Sequence, residues 1–201
     1  TITKKRSWEH DGSQGNYNSL VKVSDDVFAL AYAGSSSDGY IRTFKVDASG
    51  KISSKQVKEH NTNYGIYNAL THLVGTTYVL AYTGASNKGK MSTFTIPADG
   101  SSITIKKTIN MDASFAAYNA IHKMTDSTVV VVYQGSGPKF LMKTFQISSD
   151  GKTITEKKSE TIYEGKAHWN AIAQVDANTY VIATQGKDDD GYLYTYDVAP
   201  D

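Results

Sequence analysis

The sequence predicts an all-β fold, a four-bladed β-propeller with four antiparallel strands in each blade, on three observations. The stretch from Tyr67 to Gly84, YNALTHLVGTTYVLAYTG, recurs four times. Its copies start 50, 51 and 51 residues apart, at Tyr17, Tyr67, Tyr118 and Trp169. The composition, with 14 tyrosines and three prolines in 201 residues, is typical of strands joined by tight turns. A repeat of this length indicates a solenoid, a propeller or another array.

Each repeat is interpreted as four strands, and the second repeat illustrates them. Residues 67–74 form the first strand, 77–83 the second, 90–96 the third and 103–111 the fourth. The second strand is a continuous apolar run, as expected of a strand buried on both faces in the middle of a sheet. The fourth strand is rich in lysine, which favours an exposed edge over a nucleic-acid surface.

Glycine-containing pairs mark the hairpins inside the repeats. The pairs between second and third strands are Asp38-Gly39, Lys88-Gly89 and Asp190-Gly191, with Lys139-Phe140 in the third repeat. The pairs between third and fourth strands are Ser49-Gly50, Asp99-Gly100 and Asp150-Gly151. We expect the glycines of both sets to supply the positive φ of a tight turn, and we expect a different hairpin in the third repeat.

The first eleven residues are predicted to complete the last repeat. An isoleucine lies 15 residues before each opening aromatic residue, at Ile2, Ile52, Ile103 and Ile154. Residues 1–11 therefore correspond to a fourth strand, whose first three strands lie at the other end of the chain. We expect one propeller domain over residues 1–201, closed by this N-terminal strand, with blades at about 17–61, 67–112, 118–163, and 169–201 plus 1–11.

These repeats resemble known propeller families in size and number. In blade number and blade length the chain resembles four-bladed propellers of the hemopexin-like architecture, and its period is close to that of kelch repeats. The kelch double glycine, the WD dipeptide and the hemopexin-type disulfide are absent. The elements Tyr-Asn-Ala-Leu, Tyr-Val-Leu-Ala-Tyr-x-Gly and Ser/Thr-Phe-x-Ile also look like repeats of uncharacterised extracellular proteins of marine bacteria and phages. The resemblance implies the architecture, and no activity.

Charge and composition narrow the classes of partner. With 21 basic and 20 acidic residues, the chain has no overall field that would attract nucleic acid. No run of 18 apolar residues predicts a membrane span, and no cysteine is present for a disulfide or a thiolate ligand. We expect a glycan or a protein as partner, and a secreted or cell-surface location.

Both ends of the repeated stretch are predicted to meet on one face of the propeller, and this face carries the candidate binding residues. Its opening aromatic residues and the amides that follow them are Tyr17, Asn18, Tyr67, Asn68, Tyr118, Asn119, Trp169 and Asn170. Its closing tyrosines are Tyr32, Tyr82 and Tyr133. Aromatic rings beside amides suit a sugar, which offers an apolar face and a rim of hydroxyls. Packing between blades and pairing of backbone groups by the amides are the structural alternatives.

Other candidates are weaker. Trp8 and Phe115 do not recur in the repeats, which favours a specific role for each. His10 and His60 occupy equivalent positions, but Met111 and Ile162 fill the other two, so a ring of metal ligands is not indicated. Asp188 to Asp190 lack the spacing of a calcium loop.

The sequence indicates neither a catalytic site nor a cofactor. Acidic residues fall mostly at turns, and only two arginines are present, whereas propeller sialidases need an arginine cluster. No nucleophile, phosphate-loop or dinucleotide motif occurs. The leading hypothesis is a non-catalytic, lectin-like binding module. A structural or assembly subunit with protein partners is the alternative, and a glycan-active enzyme comes third.

Overall fold

In the computed structural model, which describes residues 1–199, the chain forms four antiparallel sheets. The first contains β1 (Asn16–Lys22), β2 (Val27–Ala33), β3 (Gly39–Val46) and β4 (Ile52–Asn61). The second contains β5 (Ile66–Val74), β6 (Thr77–Thr83), β7 (Gly89–Thr95) and β8 (Thr104–Asp112). The third contains β9 (Ala117–Lys123), β10 (Thr128–Gly135), β11 (Lys139–Ile147) and β12 (Ile154–Tyr163). The fourth contains β13 (His168–Gln174), β14 (Thr179–Gln185) and β15 (Gly191–Asp197). The predicted all-β propeller is confirmed.

The burial of the strands follows their order in each sheet. Strands pair with their chain neighbours, so the order in space repeats the order in sequence. All residues of β6 and β10 are buried, as their apolar runs predicted, and β4 and β12 are mostly exposed. The innermost strands β1, β5, β9 and β13 pack side by side in that order. Each repeat is therefore one radially placed sheet, and in the first three repeats the lysine-rich strand is outermost.

The core lies in three layers between successive sheets. Ile41 packs with Leu80 and Phe94 between the first and second sheets. The same relation places Met91 against β10 of the third sheet, and Met142 against β14 of the fourth. Because each sheet buries one face against the next sheet, the apolar side chains on that face are covered only when the neighbouring repeat is present.

The hairpins agree with the sequence in part. Gly50, Gly100 and Gly151 have φ of 83°, 66° and 71°, as predicted for the turns between third and fourth strands. For the turns between second and third strands of the first, second and fourth repeats the prediction was wrong, because the residues with positive φ there are Ser36, Ser37, Ser86, Asn87, Asp188 and Asp189. The third hairpin differs from these, as expected, with positive φ at Gly137. Gly39 instead begins β3, where a Cβ atom would overlap the ring of His60. Its role is to permit close packing.

The N-terminal segment is placed against the first sheet. Residues 1–9 belong to no strand, and the fourth sheet has three strands, so the ladder predicted to close the last blade is not among the hydrogen bonds of the described residues. The Trp8 ring lies 5.9 Å from that of Phe44, with the Arg42 guanidinium 5.5 Å above it. These contacts hold the segment on the first sheet. Pro200 and Asp201, assigned to the last blade from the sequence, lie outside the described residues.

Candidate functional site

The opening aromatic residue of every repeat sits in a β-bulge. Tyr17, Tyr67, Tyr118 and Trp169 have φ of 54°, 50°, 54° and 54°. In each innermost strand the pairing register shifts at this point, so that the aromatic residue and the following asparagine together face one residue of the next strand. A bulky residue with positive φ costs of order 1–3 kcal/mol, and such strain concentrates at functional sites. Four identical instances indicate a feature that the fold maintains.

The bulges bring the four rings into one row. Ring centroids are 4.6 Å apart for Tyr17 and Tyr67, 4.4 Å for Tyr67 and Tyr118, and 4.9 Å for Tyr118 and Trp169. Burial, together with the neighbouring tyrosine hydroxyls, raises the pKa of Tyr67, so its hydroxyl stays protonated. The row therefore offers aromatic faces, with the protonated hydroxyl of Tyr67 among them.

The side-chain amides of the four asparagines donate hydrogen bonds to backbone carbonyls in the same region. The amide nitrogen of Asn68 donates to the Gly65 carbonyl at 2.9 Å, and that of Asn119 donates to the Tyr67 carbonyl at 3.0 Å. Asn18 and Asn170 make the corresponding bonds to Gly15 and to Tyr118 and Ala167. The structural role considered for these amides is therefore real.

The amide oxygens have a different environment from the amide nitrogens. Oδ1 of Asn68, Asn119 and Asn170 is buried and has no hydrogen-bond donor among the described residues. A buried acceptor without a donor costs about 1–3 kcal/mol. A water, or a ligand hydroxyl that reached these atoms, would remove that cost.

These eight residues, here called the Tyr-Asn cluster, line one small cavity of about 150 Å³. The members are Tyr17, Asn18, Tyr67, Asn68, Tyr118, Asn119, Trp169 and Asn170. None of them is charged, so the cavity suits a neutral ligand. Ligand pockets usually measure about 300–1,000 Å³, and the Tyr-Asn cluster therefore accommodates only the edge or end of a larger molecule.

The closing tyrosines are separate from this cavity. Tyr82 and Tyr133 are buried between sheets, and Tyr32 is buried against the ring of His10 in the N-terminal segment. Each of the three lies opposite a bulge on the adjacent strand. The Tyr133 hydroxyl donates to the Asp112 carboxylate at 2.9 Å, and the burial of this tyrosine, next to Asp112, raises its pKa. Their position agrees with packing between blades, the structural alternative, and leaves the Tyr-Asn cluster as the candidate site.

A second concave region, here called the rim cleft, adjoins the cluster between the third and fourth sheets. It measures about 380 Å³ and is lined by Phe115, Gln134, Gly135, Ser136, Gly137, Pro138, Lys166 and His168. The His168 ring lies 4.3 Å from that of Tyr118, which connects the two regions. Burial and the nearby Lys166 lower the pKa of His168, so the ring is neutral at pH 7.

The rim cleft was only partly foreseen from the sequence. Phe115 was singled out because it does not recur, and a different hairpin was expected in the third repeat. In the structure that hairpin contains Gly137, with φ of 65°, in the wall of the cleft. Trp8 lies elsewhere, against Phe44.

Within residues 1–199, no three His, Cys, Asp or Glu residues are grouped as a metal site would need. Over the same residues, no helix has the length and apolar character for a membrane span.

Comparison with known proteins shows the fold alone. No protein-family model matches the sequence, and no curated protein matches it. Among solved structures, the chain is similar to the K499G mutant of NanB sialidase from Streptococcus pneumoniae, with a TM-score of 0.63 at 13% identity over 89% of this chain and 29% of that one. It is also similar to Chaetomium thermophilum Sqt1, with a TM-score of 0.61 at 14% identity over 94% of this chain and 45% of that one.

A third similar structure is the periplasmic gluconolactonase PpgL of Pseudomonas aeruginosa, with a TM-score of 0.52 at 12% identity over 92% of this chain and 69% of that one. All three are β-propellers. The chain spans less than half the length of the Sqt1 chains that it matches. At these identities the likeness carries no function.

Proposed function

We propose that the protein is a non-catalytic binding module that holds the end of a neutral carbohydrate on the Tyr-Asn cluster. The observation that carries the proposal is the row of four aromatic rings, each turned by a bulge with positive φ towards one cavity with amides beside it. A sugar ring packs its apolar face on aromatic rings and donates hydroxyls to amide oxygens. The absence of charge among the lining residues favours a neutral sugar over an anionic one.

The size of the cavity limits how much ligand enters. About 150 Å³ accepts one end of a chain, and the remaining units would extend over the rim cleft, where Phe115 and Pro138 add apolar surface. This division favours one asymmetric site over four equal sites. The proposal includes a secreted or cell-surface location, where glycans are accessible. The resemblance to hemopexin-like propellers and to extracellular proteins of marine bacteria and phages remains a prediction.

A glycan array followed by titration tests the proposal. The chain contains two tryptophans, so the Trp8→Phe variant makes Trp169 the only indole reporter of the cluster. We expect a neutral glycan from the array to change the fluorescence of Trp169. We expect Trp169→Ala, which lacks this reporter and is therefore titrated by calorimetry beside the parent chain, to bind about tenfold more weakly, the effect of losing about 1.4 kcal/mol of ring contact.

The matched control is Tyr192→Ala, which removes a half-exposed ring outside the cluster and should leave affinity unchanged. An array without any bound glycan would overturn the proposal, and so would equal binding by Trp169→Ala and the parent chain.

A protein partner is the second candidate. One similar structure, Chaetomium thermophilum Sqt1, is described as bound to the N-terminus of the ribosomal protein L10, at 14% identity to this chain. The rim cleft, with Lys166 and His168 beside Phe115, offers a place for a peptide. A peptide that bound there would lose affinity in Phe115→Ala and keep it in Trp169→Ala, which separates the two candidates.

A further inference from the structure

The fourth sheet has a bare face where the other sheets have a covered one. The forward face of a sheet is defined here as the face that packs on the following sheet. Leu193 is 76% exposed, whereas Ile41 and Met91 at the same repeat position are buried against the next sheet. Val175 is 62% exposed, and its counterpart Leu73 is buried. The sequence thus keeps interface side chains on a surface that nothing in residues 1–199 covers.

The first sheet shows the complementary face. The back face of a sheet is the face that packs on the preceding sheet. Leu20 is 58% exposed, while its counterpart Leu70 is buried between the first and second sheets. Over residues 1–199, β1 and β13 do not pack on each other as the successive innermost strands do. The forward face of the fourth sheet and the back face of the first therefore remain apart.

The N-terminal segment is already docked in the position of a fourth strand from a preceding sheet. His10 and Tyr32 have ring centroids 4.7 Å apart at 71°, the same values as His60 of β4 and Tyr82 of the second sheet. The surrounding residues also correspond, with Glu9-His10-Asp11 repeating Glu59-His60-Asn61. Residues 2–10 thus lie on the first sheet as β4 lies on the second.

Among the described residues, the edge of β15 lacks the partner that this segment would supply. The third strands β3, β7 and β11 each pair with a fourth strand, and β15 is the outer strand of its sheet. In the structure the chain's own N-terminal segment stays on the first sheet and does not reach β15. An unpaired edge beside a bare apolar face is a surface on which another strand adds.

We propose that two copies of this chain dock head to tail, the forward face of each fourth sheet on the back face of the other copy's first sheet. Residues 2–11 of one copy then pair with β15 of the other while remaining on their own first sheet. The contact repeats the interface between successive sheets within the chain. Because each copy offers both faces, a closed pair of copies contains two such contacts.

The repeat geometry also predicts the register of the new ladder. Gly39 pairs with Asn61 and Tyr40 with Glu59 in the first sheet. The equivalent pairs are Gly191 with Asp11 and Tyr192 with Glu9 of the other copy. Gly191 has no atom near the position of a Cβ, whereas Gly39 lies against His60 and Gly65, as Gly191 would lie against His10 and Gly15.

The first test is the mass of the chain in solution by light scattering over a dilution series. We expect a particle of twice 21.9 kDa that dissociates on dilution. Leu193→Lys should remain folded, because Leu193 is exposed in one chain, and should be a monomer at all concentrations. Val57→Lys, on the outermost strand β4 and 43% exposed, is the matched control and should dimerise normally.

Mixing two variants tests the head-to-tail arrangement. Leu20→Lys blocks the back face and Leu193→Lys the forward face, so each alone should be a monomer. Their mixture retains one intact contact, between the forward face of the first variant and the back face of the second, and should form a weaker heterodimer. Monomeric parent chain, or a mixture that does not associate, would overturn the proposal.

Crosslinking separates a second copy from closure within one chain. The sequence has no cysteine, so Glu9→Cys combined with Tyr192→Cys introduces the only thiols. Opposed strand residues lie within the 4.4–6.8 Å between Cα atoms that a disulfide spans. We expect a covalent dimer after oxidation, and none from Lys5→Cys with Tyr192→Cys, about 13 Å out of register. A crosslinked monomer would overturn the proposal in favour of closure within the chain.

Discussion

The opening aromatic residue of each repeat has an unfavourable backbone conformation, and this conformation directs its ring towards the other rings. Tyr67 has φ of 50° inside β5, and its ring contacts those of Tyr17 and Tyr118. Left-handed backbone costs a residue with a Cβ about 1–2 kcal/mol, and glycine avoids that cost. The rings, rather than the strand, therefore explain why a tyrosine stands at this position.

The strain at Tyr67 predicts that a glycine variant is more stable than an alanine variant at this position, the reverse of the usual order. Tyr67→Ala and Tyr67→Gly both lose the ring contacts, but only alanine keeps the strain, so the glycine variant should be more stable by about 1 kcal/mol. Urea unfolding measures the difference. At Thr71, which has ordinary extended backbone in the same strand, alanine should be the more stable of the two. An alanine variant at least as stable as glycine at position 67 would contradict a strained native backbone.

His60 predicts a pH dependence of stability. Its ring is buried between Tyr82 and Phe94, its nitrogens have no hydrogen-bond partner among the described residues, and burial lowers its pKa from 6.5 to about 3. The folded chain thus keeps His60 neutral while the unfolded chain binds a proton below pH 6.5. The free energy of unfolding should fall from pH 6.5 towards 3, by about 1.4 kcal/mol per pH unit.

Unfolding by urea at pH 7 and at pH 5 measures this effect above the range in which carboxylates titrate. The decrease that His60 causes should be about 2 kcal/mol and should be lost in His60→Phe, which leaves only the smaller decrease from His168, whose pKa is also lowered by burial. His10→Phe, which removes the equivalent ring from the N-terminal segment, should retain the decrease that His60 causes. An unchanged slope in His60→Phe would show that another group titrates.

At the scale of the element, the start of β3 depends on a glycine for space. A Cβ atom on Gly39 would overlap the ring of His60, and Gly65 approaches Gly39 from the next sheet. Gly39→Ala should therefore destabilise the chain by about 1–3 kcal/mol, the usual cost of overpacking. Gly12→Ala, where the nearest atom is the mobile end of Glu9 at 3.9 Å, should change stability by less than about 0.5 kcal/mol. Thermal unfolding of the two variants gives the comparison, and equal effects would contradict the packing role.

The strands were predictable, because their signals are local. The apolar run of β6 required burial on both faces, and the lysines of β4 and β12 required an outer edge. The hairpins between second and third strands were not predictable from glycine alone, since serine, asparagine and aspartate carry the positive φ there and Gly39 serves packing.

For the candidate site, the sequence predicted which residues lie together but not the backbone conformation that orients them. Repetition placed the aromatic residues and amides together, but tyrosine has no preference for left-handed backbone, so the bulge left no signal in the sequence. Tyr82 and Tyr133 resemble the opening tyrosines in type, and their burial follows from the neighbouring sheet, which sequence spacing does not describe. Closure of the propeller could not be predicted for a similar reason. The spacing of the repeats gives the number of sheets but not the rotation from one sheet to the next.

At the scale of the whole molecule, the four sheets differ in how many neighbours cover them. The second and third sheets are covered on both faces, whereas the fourth is covered on one, and β14 alternates between buried and half-buried residues. Backbone amides should therefore exchange with deuterium most slowly in β6 and β10 and faster in β14, when the chain is dilute. Mass spectrometry of peptides from each strand measures the order. Equal protection of β14 and β6 in dilute chain would contradict the uneven covering, and protection of β14 that rises with concentration would locate the added contact on the fourth sheet.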